Sequence, residues 1–336
     1  MKDIVSMLPE EIAGEISGFR SKQIVEWLSK GVSSFDEMTN LPKDLRSELK
    51  SKYSLFRPSV IKRQVSTDGT IKYLWELEDN NAVETVVMRN NYGNTVCVST
   101  QVGCRQGCAF CASTIGGLVR NLSSSEILNE VLCSQIESGV KISNIVLMGI
   151  GEPLDNYDNV IRFLHLVNHP QLMNIGYRHI SLSTCGIIER FEDLANEHLP
   201  ITLAVSLHAP DDETRSKIMP ANRNRGVEAV LEACTGYFNK TGRRVSFEYA
   251  MIDGVNDTPY HAELLCKRAK KVGAHINLIT LNHVEESKFN PSTDVSLKAF
   301  TKILDDNNVN YTIRRKLGAD VDAACGQLRR KCRPTV

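Results

Sequence analysis

The chain is expected to fold as an α/β protein: a partial (β/α)6 barrel preceded by a small helical module and a β extension. Three observations lead there. From residue 95 onward, apolar β-type runs alternate with helical stretches, which implies parallel strands joined by right-handed crossovers. Those runs show little polar alternation, as strands do when both faces are covered. No glycine fingerprint follows the first of them, which favours a barrel, complete or partial, over a dinucleotide-binding sheet.

Residues 1–58 read as the helical module. In "SKQIVEWLSK" Ile24, Trp27 and Leu28 share one face. In "SSFDEM" Ser34 is an N-cap with Glu37 three residues on. "LPKDLRSELKSKY" is another short helix with Pro42 near its start. Residues 59–89 alternate like β-structure, with a hairpin turn at Asp68-Gly69. The barrel is expected over 90–318. Its strand runs are 95–100, 144–151, 178–184, 201–208, 244–251, 275–282 and 309–315, and its helices 123–138, 157–168, 188–197, 227–239, 259–272 and 294–307. The first of these helices opens on capping serines and stops at Gly139. Residues 319–336 are a tail.

Composition narrows the class. Of 336 residues, 42% are hydrophobic and 24% charged, ordinary values for a soluble globular protein. No apolar run is long enough to span a bilayer. The N-terminus holds four acidic residues and lacks a signal-peptide block. A cytoplasmic protein with no membrane partner is therefore expected. Ten cysteines in such a chain point to metal binding or catalysis before a disulfide framework. Formal net charge is zero, so no global field advertises a polyanion partner. Charge is uneven, however: residues 314–333 hold Arg314, Arg315, Lys316, Arg329, Arg330, Lys331 and Arg333 against Asp320 and Asp322. That segment is equally compatible with a solvated tail and with a polyanion contact.

After the first barrel strand comes "CRQGCAFC", with Cys104, Cys108 and Cys111 spaced C-x3-C-x2-C. Three thiolates on one loop can converge on one metal centre, and Gly103 and Gly107 let the backbone wrap closely. A structural zinc site would want a fourth ligand from a second motif, and Cys133, Cys185, Cys234 and Cys266 stand isolated, as buried core cysteines do. Three ligands leave a position open, and loop cysteines are the usual ligands of iron–sulfur clusters. Other chemistry-bearing groups fall at successive strand ends: Gly151-Glu152, Ser183, Ser206-Leu207-His208 and Asn282. Singly each is an ordinary hydrogen-bonding residue. In sequence they trace a crevice at the barrel mouth.

The cysteine loop on the first strand of a βα barrel resembles that of the radical S-adenosylmethionine superfamily. More specifically, "VETVVM", "CVSTQVGCRQGCAFCAS", "GGLVRNL", "MGIGEPLDN", "LSTCGI", "SLHAPDDETRSKIMP", "FEYAMIDGVND", "HINLI" and "DVDAACGQL" resemble the RlmN/Cfr family of RNA adenine methyltransferases, from about residue 18 to residue 331. The resemblance implies a [4Fe–4S] cluster on Cys104, Cys108 and Cys111. It implies S-adenosylmethionine, two per turnover, bound by Gly151, Glu152, Ser183, Ser206, Leu207, His208 and Asn282. It implies that Cys325 is methylated on sulfur, that a 5′-deoxyadenosyl radical removes hydrogen from that methyl group, and that the methylene radical adds to C2 of an adenine. Cys97 then resolves the crosslink as a transient disulfide with Cys325, and Glu84 accepts the C2 proton. Implied partners are 23S rRNA at the peptidyl-transferase centre, tRNA next to the anticodon, and an electron donor such as flavodoxin or ferredoxin, with the enzyme a monomer. Arg20, Lys22, Arg46, Lys50 and Lys52 of the helical module and the basic tail would contact phosphates.

A radical route answers a chemical need: adenine C2 is electron-poor and resists simple methyl transfer, whereas a carbon radical adds to it. The sequence departs from the family's frequent "STSG", "NLIP" and "MPIN" at Cys185, Thr280 and Ala221. The alternative within the family is the C8-directed, antibiotic-resistance methyltransferase. Outside it stand a radical enzyme acting on a peptide or small molecule, and a zinc-binding or redox-sensing RNA-binding protein.

Overall fold

The computed structural model describes residues 1–16, 18–281, 288–315, 317–318 and 320–321. Ten strands form one continuous sheet whose spatial order is the chain order. They are β1 (Ser59–Val65), β2 (Ile71–Glu76), β3 (Ala82–Met88), β4 (Asn94–Cys97), β5 (Ile142–Leu147), β6 (Ile180–Thr184), β7 (Thr202–Ser206), β8 (Ser246–Met251), β9 (His275–Thr280) and β10 (Tyr311–Ile313). Strands β1 to β4 pair antiparallel. From β4 to β10 every pairing is parallel. The β extension is thus continuous with the parallel sheet. No pairing between β1 and β10 closes it among the described residues, so the barrel is partial.

The helices are α1 (Pro9–Glu15), α2 (Phe19–Ser29), α3 (Lys43–Lys52), α4 (Ser124–Ser138), α5 (Tyr157–Asn168), α6 (Phe191–Asn196), α7 (Asp212–Ile218), α8 (Val227–Thr241), α9 (Pro259–Val272) and α10 (Asp294–Asp306). Each strand run and barrel helix expected from the sequence has its element. Helix α4 carries the expected capping box, Ser123 with Glu126, and ends at Gly139 with φ of +67°, a conformation glycine adopts without steric cost. Three details differ. Helix α7 lies where no helix was expected; Asp211 caps it, accepting from Thr214 N at 2.8 Å, but seven residues carry too little apolar period to read. Ser34 caps a 3-10 turn, Phe35–Glu37, in place of an α-helix. The first barrel strand stops at Cys97, and Gln101–Gly103 instead pairs with Leu118–Asn121 in a separate ribbon.

The two faces of the sheet divide the labour. Val83, Val87, Val96 and Val98 join one large apolar cluster with Val131 of α4 and Phe163 and Leu164 of α5. Burying a side chain of that size stabilises by about 1.5–3 kcal/mol. Side chains alternate across a strand, so Glu84, Val86 and Cys97 face the other, concave side. The helical module docks on the outer layer: Arg162 Nε donates to Ser6 O at 2.9 Å and Asn129 Nδ2 to Phe56 O at 2.9 Å. Among the described residues no helix is long and apolar enough to cross a membrane.

The chain leaving β10 shows how far the sheet curls. Gly318 N donates to Asp68 Oδ2 at 2.8 Å, and Thr67 N and Ser66 Oγ donate to Asp320. Those partners form the β1–β2 turn, at the opposite edge of the sheet. Five residues after Ile313 reach at most about 17 Å. The edges must approach one another, with the start of the tail bridging the gap.

Candidate active site

The cysteine loop hangs between the two strands of the small ribbon. Gly103 (φ +79°) passes so close to the ribbon's other strand that an added Cβ would lie 2.0 Å from Gly117 O; only glycine fits. Cys104 N donates to Gly117 O at 3.1 Å, Cys111 N to Cys108 O at 3.0 Å, and Ala109 N to Ile218 O at 2.8 Å. The last bond ties the loop to the unexpected helix α7. Cys104 is buried and Cys108 and Cys111 half-buried. Burial holds the Cys104 thiol up at about 12 and pushes Cys108 higher still, and the neighbouring thiols of the triplet add to both shifts. Such thiols ionise only when a metal takes up the sulfur charge. Among the described residues no group of three or more His, Cys, Asp or Glu is set to hold a single metal ion. Three mutually interacting thiols on a glycine-wrapped loop fit a multi-iron cluster, which takes its thiolates at separate irons.

Behind the loop lies Arg215, fully buried. Its guanidinium donates to Leu207 O (3.0 Å), Asn222 Oδ1 (2.8 Å), Cys185 O (2.7 Å) and Ser206 O (3.2 Å). One cation thereby ties the ends of β6 and β7 together, and its charge acts on Cys108. A cluster bound by three thiolates is negative, so a buried cation there is electrostatically apt. Cys185, the departure in "STCG", serves this bond through its backbone, so its side chain is immaterial to it.

Glu152 is also buried. Its two carboxylate oxygens accept from Leu154 N (3.0 Å) and Cys185 N (2.7 Å), which pins the turn after β5 to the end of β6. Burial raises its pKa, and these bonds oppose that rise. Gly151 (φ +110°) lies so near Gln101 that a Cβ would meet its side chain at 2.6 Å. Ser183 Oγ and Ser206 Oγ are 3.3 Å apart. Leu207 N and His208 N both donate to Glu248 O, at 3.1 and 3.2 Å. His208 sits at φ +56°, uncommon outside glycine. Its Nδ1 accepts from Ala250 N at 2.9 Å and its ring meets Phe110 of the cysteine loop edge-on at 5.0 Å. Burial lowers its pKa to about 3, so the ring is neutral with its proton on Nε2. The cysteine loop, Gly151-Glu152, Ser183 and Ser206 to His208 thus form one continuous rim.

Cys97 and Glu84 lie beside that rim on the concave face. Cys97 is paired with Val86 on one side and Val146 on the other. Glu84 is buried and no surface carboxylate: Lys72 Nζ lies 3.0 Å from its Oε2, with both side chains shielded from solvent. Ser99 Oγ donates to Glu84 O at 2.8 Å and accepts from Ile150 N at 3.2 Å, joining the two regions. Asn282, Cys325 and nearly all of the basic tail lie outside the described residues. Arg314 and Arg315 are the exceptions; Arg314 Nη1 approaches Met148 Sδ at 3.7 Å across the mouth.

The sequence reading missed Arg215, Lys72 and Glu248. Glu248 is buried on β8, accepts from Asn277 Nδ2 at 2.8 Å, and its pKa is raised by burial. A charged residue inside an apolar strand run was the one available signal for Glu248; Lys72, in an alternating strand, offered none. The four isolated cysteines, Cys133, Cys185, Cys234 and Cys266, are free and buried as expected.

Comparison with known proteins matches this architecture. Residues 98–265 match the model of the radical SAM superfamily, and residues 12–55 that of the ribosomal RNA large subunit methyltransferase N-terminal domain. A protein of Desulforamulus reducens described as "Probable dual-specificity RNA methyltransferase RlmN" is 53% identical over 93% of this chain and 90% of its own. One of Clostridium tetani with the same description is 51% identical over the same shares. The crystal structure of a radical SAM methyltransferase from Sphaerobacter thermophilus superposes with a TM-score of 0.91 at 37% identity, covering 97% of this chain and 99% of that one. With half of its residues identical to such relatives over nine-tenths of its length and both family models matched, the chain belongs to the RlmN family of the radical SAM superfamily.

Proposed function

We propose that this protein methylates C2 of adenine in RNA: in 23S rRNA at the peptidyl-transferase centre, and in tRNA next to the anticodon. The observation that carries the reading is the placement of Cys97 and Glu84 on one concave face of adjacent strands, beside the cysteine loop. Cys104, Cys108 and Cys111 would hold the [4Fe–4S] cluster. Gly151, Glu152, Ser183, Ser206, Leu207, His208 and Asn282 would form the S-adenosylmethionine site. The chemistry a bound cluster supplies is one electron, given and recovered, for reductive cleavage of S-adenosylmethionine and hydrogen-atom abstraction.

The chain's own residues do the rest. The Cys325 sulfur takes a methyl group from one S-adenosylmethionine by displacement. After one hydrogen atom has left that methyl group, its carbon bonds to C2 of the adenine. Glu84 accepts the C2 proton. The Cys97 sulfur then attacks the Cys325 sulfur, an S–S bond forms, and the bond from Cys325 sulfur to the methylene carbon breaks. The proton released from the Cys97 thiol balances the one taken up by the new methyl group. The target base would be splayed from its stack. Two SAM molecules are used per turnover, and a flavodoxin or ferredoxin would supply electrons to a monomeric, cytoplasmic enzyme. Division at 58, 89 and 318 would separate an RNA-contacting helical module, a β extension, the barrel and the carrier tail. Within the module Lys50 and Lys52 are partnered by Asp36 and Glu48, so Lys22, exposed on α2, is a better phosphate contact.

Intact-protein mass spectrometry tests the carrier. Freshly made wild type should carry a methyl adduct that Cys325→Ala lacks. Mapping methylated adenine in 23S rRNA from a deletion strain tests the position: C2 methylation that persists there, or a product methylated at C8, overturns the reading.

A further inference from the structure

The buried pair Lys72–Glu84 is unusual in its place. Both side chains are almost wholly shielded, at 0% and 3% exposure, and the charged atoms are 3.0 Å apart. Strand register puts them in the neighbourhood of the resolving thiol. Lys72 pairs with Val86, and Val86 pairs with Cys97. Glu84 is two residues from Val86 and so points to the same face. A hydroxyl, Ser99 Oγ, fixes the backbone of Glu84 to the turn that leads into Gly151-Glu152.

Stability alone does not account for such a pair. Well-packed apolar residues of similar volume commonly serve a fold as well or better than a buried ion pair. The sheet around it is already apolar: Leu74 and Ala82 form their own small cluster beside it. What the lysine does supply is charge. An ammonium at 3.0 Å gives one oxygen of the carboxylate a charge-assisted partner and so sets the orientation of the group.

We propose that Lys72 is a positioning residue for the methyl-transfer reaction: its ammonium, 3.0 Å from Oε2, holds the Glu84 carboxylate oriented on the concave face beside Cys97. The inference rests on the reading of Glu84 as the proton acceptor. In that step the C2–H bond breaks, its electron pair stays in the purine ring, a Glu84 oxygen gains the proton, and the adduct's unpaired electron returns to the one-electron donor, which leaves the ring aromatic. Lys72 keeps its own protons throughout, so the pair passes from zero net charge to one positive charge, and returns when the proton leaves to solvent.

The test uses the reconstituted full chain with a transcript of the peptidyl-transferase region of 23S rRNA. Four things are followed: the Cys325 methyl adduct, 5′-deoxyadenosine, covalent protein–RNA species on a denaturing gel, and methylated RNA. The variants are Glu84→Gln, Lys72→Met, Lys72→Gln and the double variant Lys72→Met/Glu84→Gln. Lys72→Gln keeps a donor toward Glu84 and is the safer to fold. The double variant removes both charges of the pair together, so its folding shows that the site tolerates neutral side chains.

Glu84→Gln, Lys72→Met and Lys72→Gln should each form the methyl adduct and 5′-deoxyadenosine at near the wild-type rate. Each should accumulate the covalent species and release methylated RNA at least about 100-fold more slowly, the low end of what a general base contributes. If Glu84→Gln stalls while folded Lys72→Gln releases product at the wild-type rate, the role of Lys72 is overturned and that of Glu84 stands. If Glu84→Gln itself releases product normally, the reading of Glu84 falls. If the Lys72 variants slow every step alike, 5′-deoxyadenosine included, the lysine is structural and the inference is wrong.

Discussion

Two buried glutamates, Glu152 and Glu84, sit on neighbouring parts of one sheet and are held in opposite ways. The Glu152 oxygens are occupied by two backbone N–H groups from different strand ends, so that carboxylate is a pin. Glu84 instead meets a lysine side chain, so its orientation depends on a contact that mutation can remove without touching any backbone. The rim around Glu152 is built by main-chain geometry: Gly103, Gly151, the Arg215 strut and the left-handed His208. The face around Glu84 is built by side chains in register. The first is a frame fixed by backbone bonds; in the proposed function it holds the cofactor, and the second is where protons and thiols move.

The sharpest break of the rim is its metal. Cys104→Ala should lose the iron and sulfide of the reconstituted protein and all methylation, read by metal analysis and by the visible absorbance of the cluster. A chelator applied to the reduced wild type should do the same. A Cys104→Ala protein that keeps full iron and activity would refute the ligand assignment. Next comes Arg215→Met. It deprives five carbonyl and amide oxygens of one buried donor group, and leaving such groups unsatisfied costs at least about 1–3 kcal/mol. Denaturant unfolding measures it, and a loss below 1 kcal/mol would show the strut to be dispensable.

Glu152→Gln is milder. Its amide offers one acceptor where two are used, leaving Leu154 N or Cys185 N facing an NH2 group, for about 1–3 kcal/mol. Its pH dependence sharpens the comparison. Burial raises Glu152 above the usual glutamate value of 4.5. Its contribution is therefore fully present below that value and lost as pH rises through the higher folded value. The variant should lack this decline, and denaturant midpoints of the two proteins from pH 4 to 7 will show whether it does.

The contrast also explains what could be read in the chain. Cys104, Cys108 and Cys111 are legible because their spacing is local and their chemistry rare. The strands and most helices are legible because apolar runs and caps, such as Ser123 with Glu126 and the stop at Gly139, are written within a dozen residues. Arg215 was not, because its partners are backbone oxygens and an amide from three segments, and an arginine in "DDETRSK" reads as exposed. Lys72 was not, because a lysine in an alternating strand reads as facing water; only the register with Val86 and Cys97 turns it inward. The departure at Cys185 leaves the bonds to Glu152 and Arg215 in place, because the position makes them through its N–H and C=O.

The smallest expected effect concerns how Gly318 and Asp320 are tied to the β1–β2 turn. Asp68 accepts from Gly318 N at 2.8 Å and Thr70 N at 2.9 Å, and these bonds hold its carboxyl at about 2, below the usual 3.8. A depressed carboxyl contributes stability that is present above the unfolded value and is lost as pH falls through the folded one; tail attachment should thus persist to about pH 4 and weaken toward pH 2. Asp68→Asn keeps one acceptor and must abandon one of the two N–H groups. Because the turn is at the surface, global stability should change by less than about 0.5 kcal/mol. The Gly318 amide should nevertheless exchange its hydrogen roughly tenfold faster, the scale of one local hydrogen bond. Unchanged exchange at Gly318 would mean that the β1–β2 turn does not hold the tail. Faster exchange with unchanged melting would separate the anchoring of the tail from the stability of the barrel, which is the division that the two glutamates already suggest.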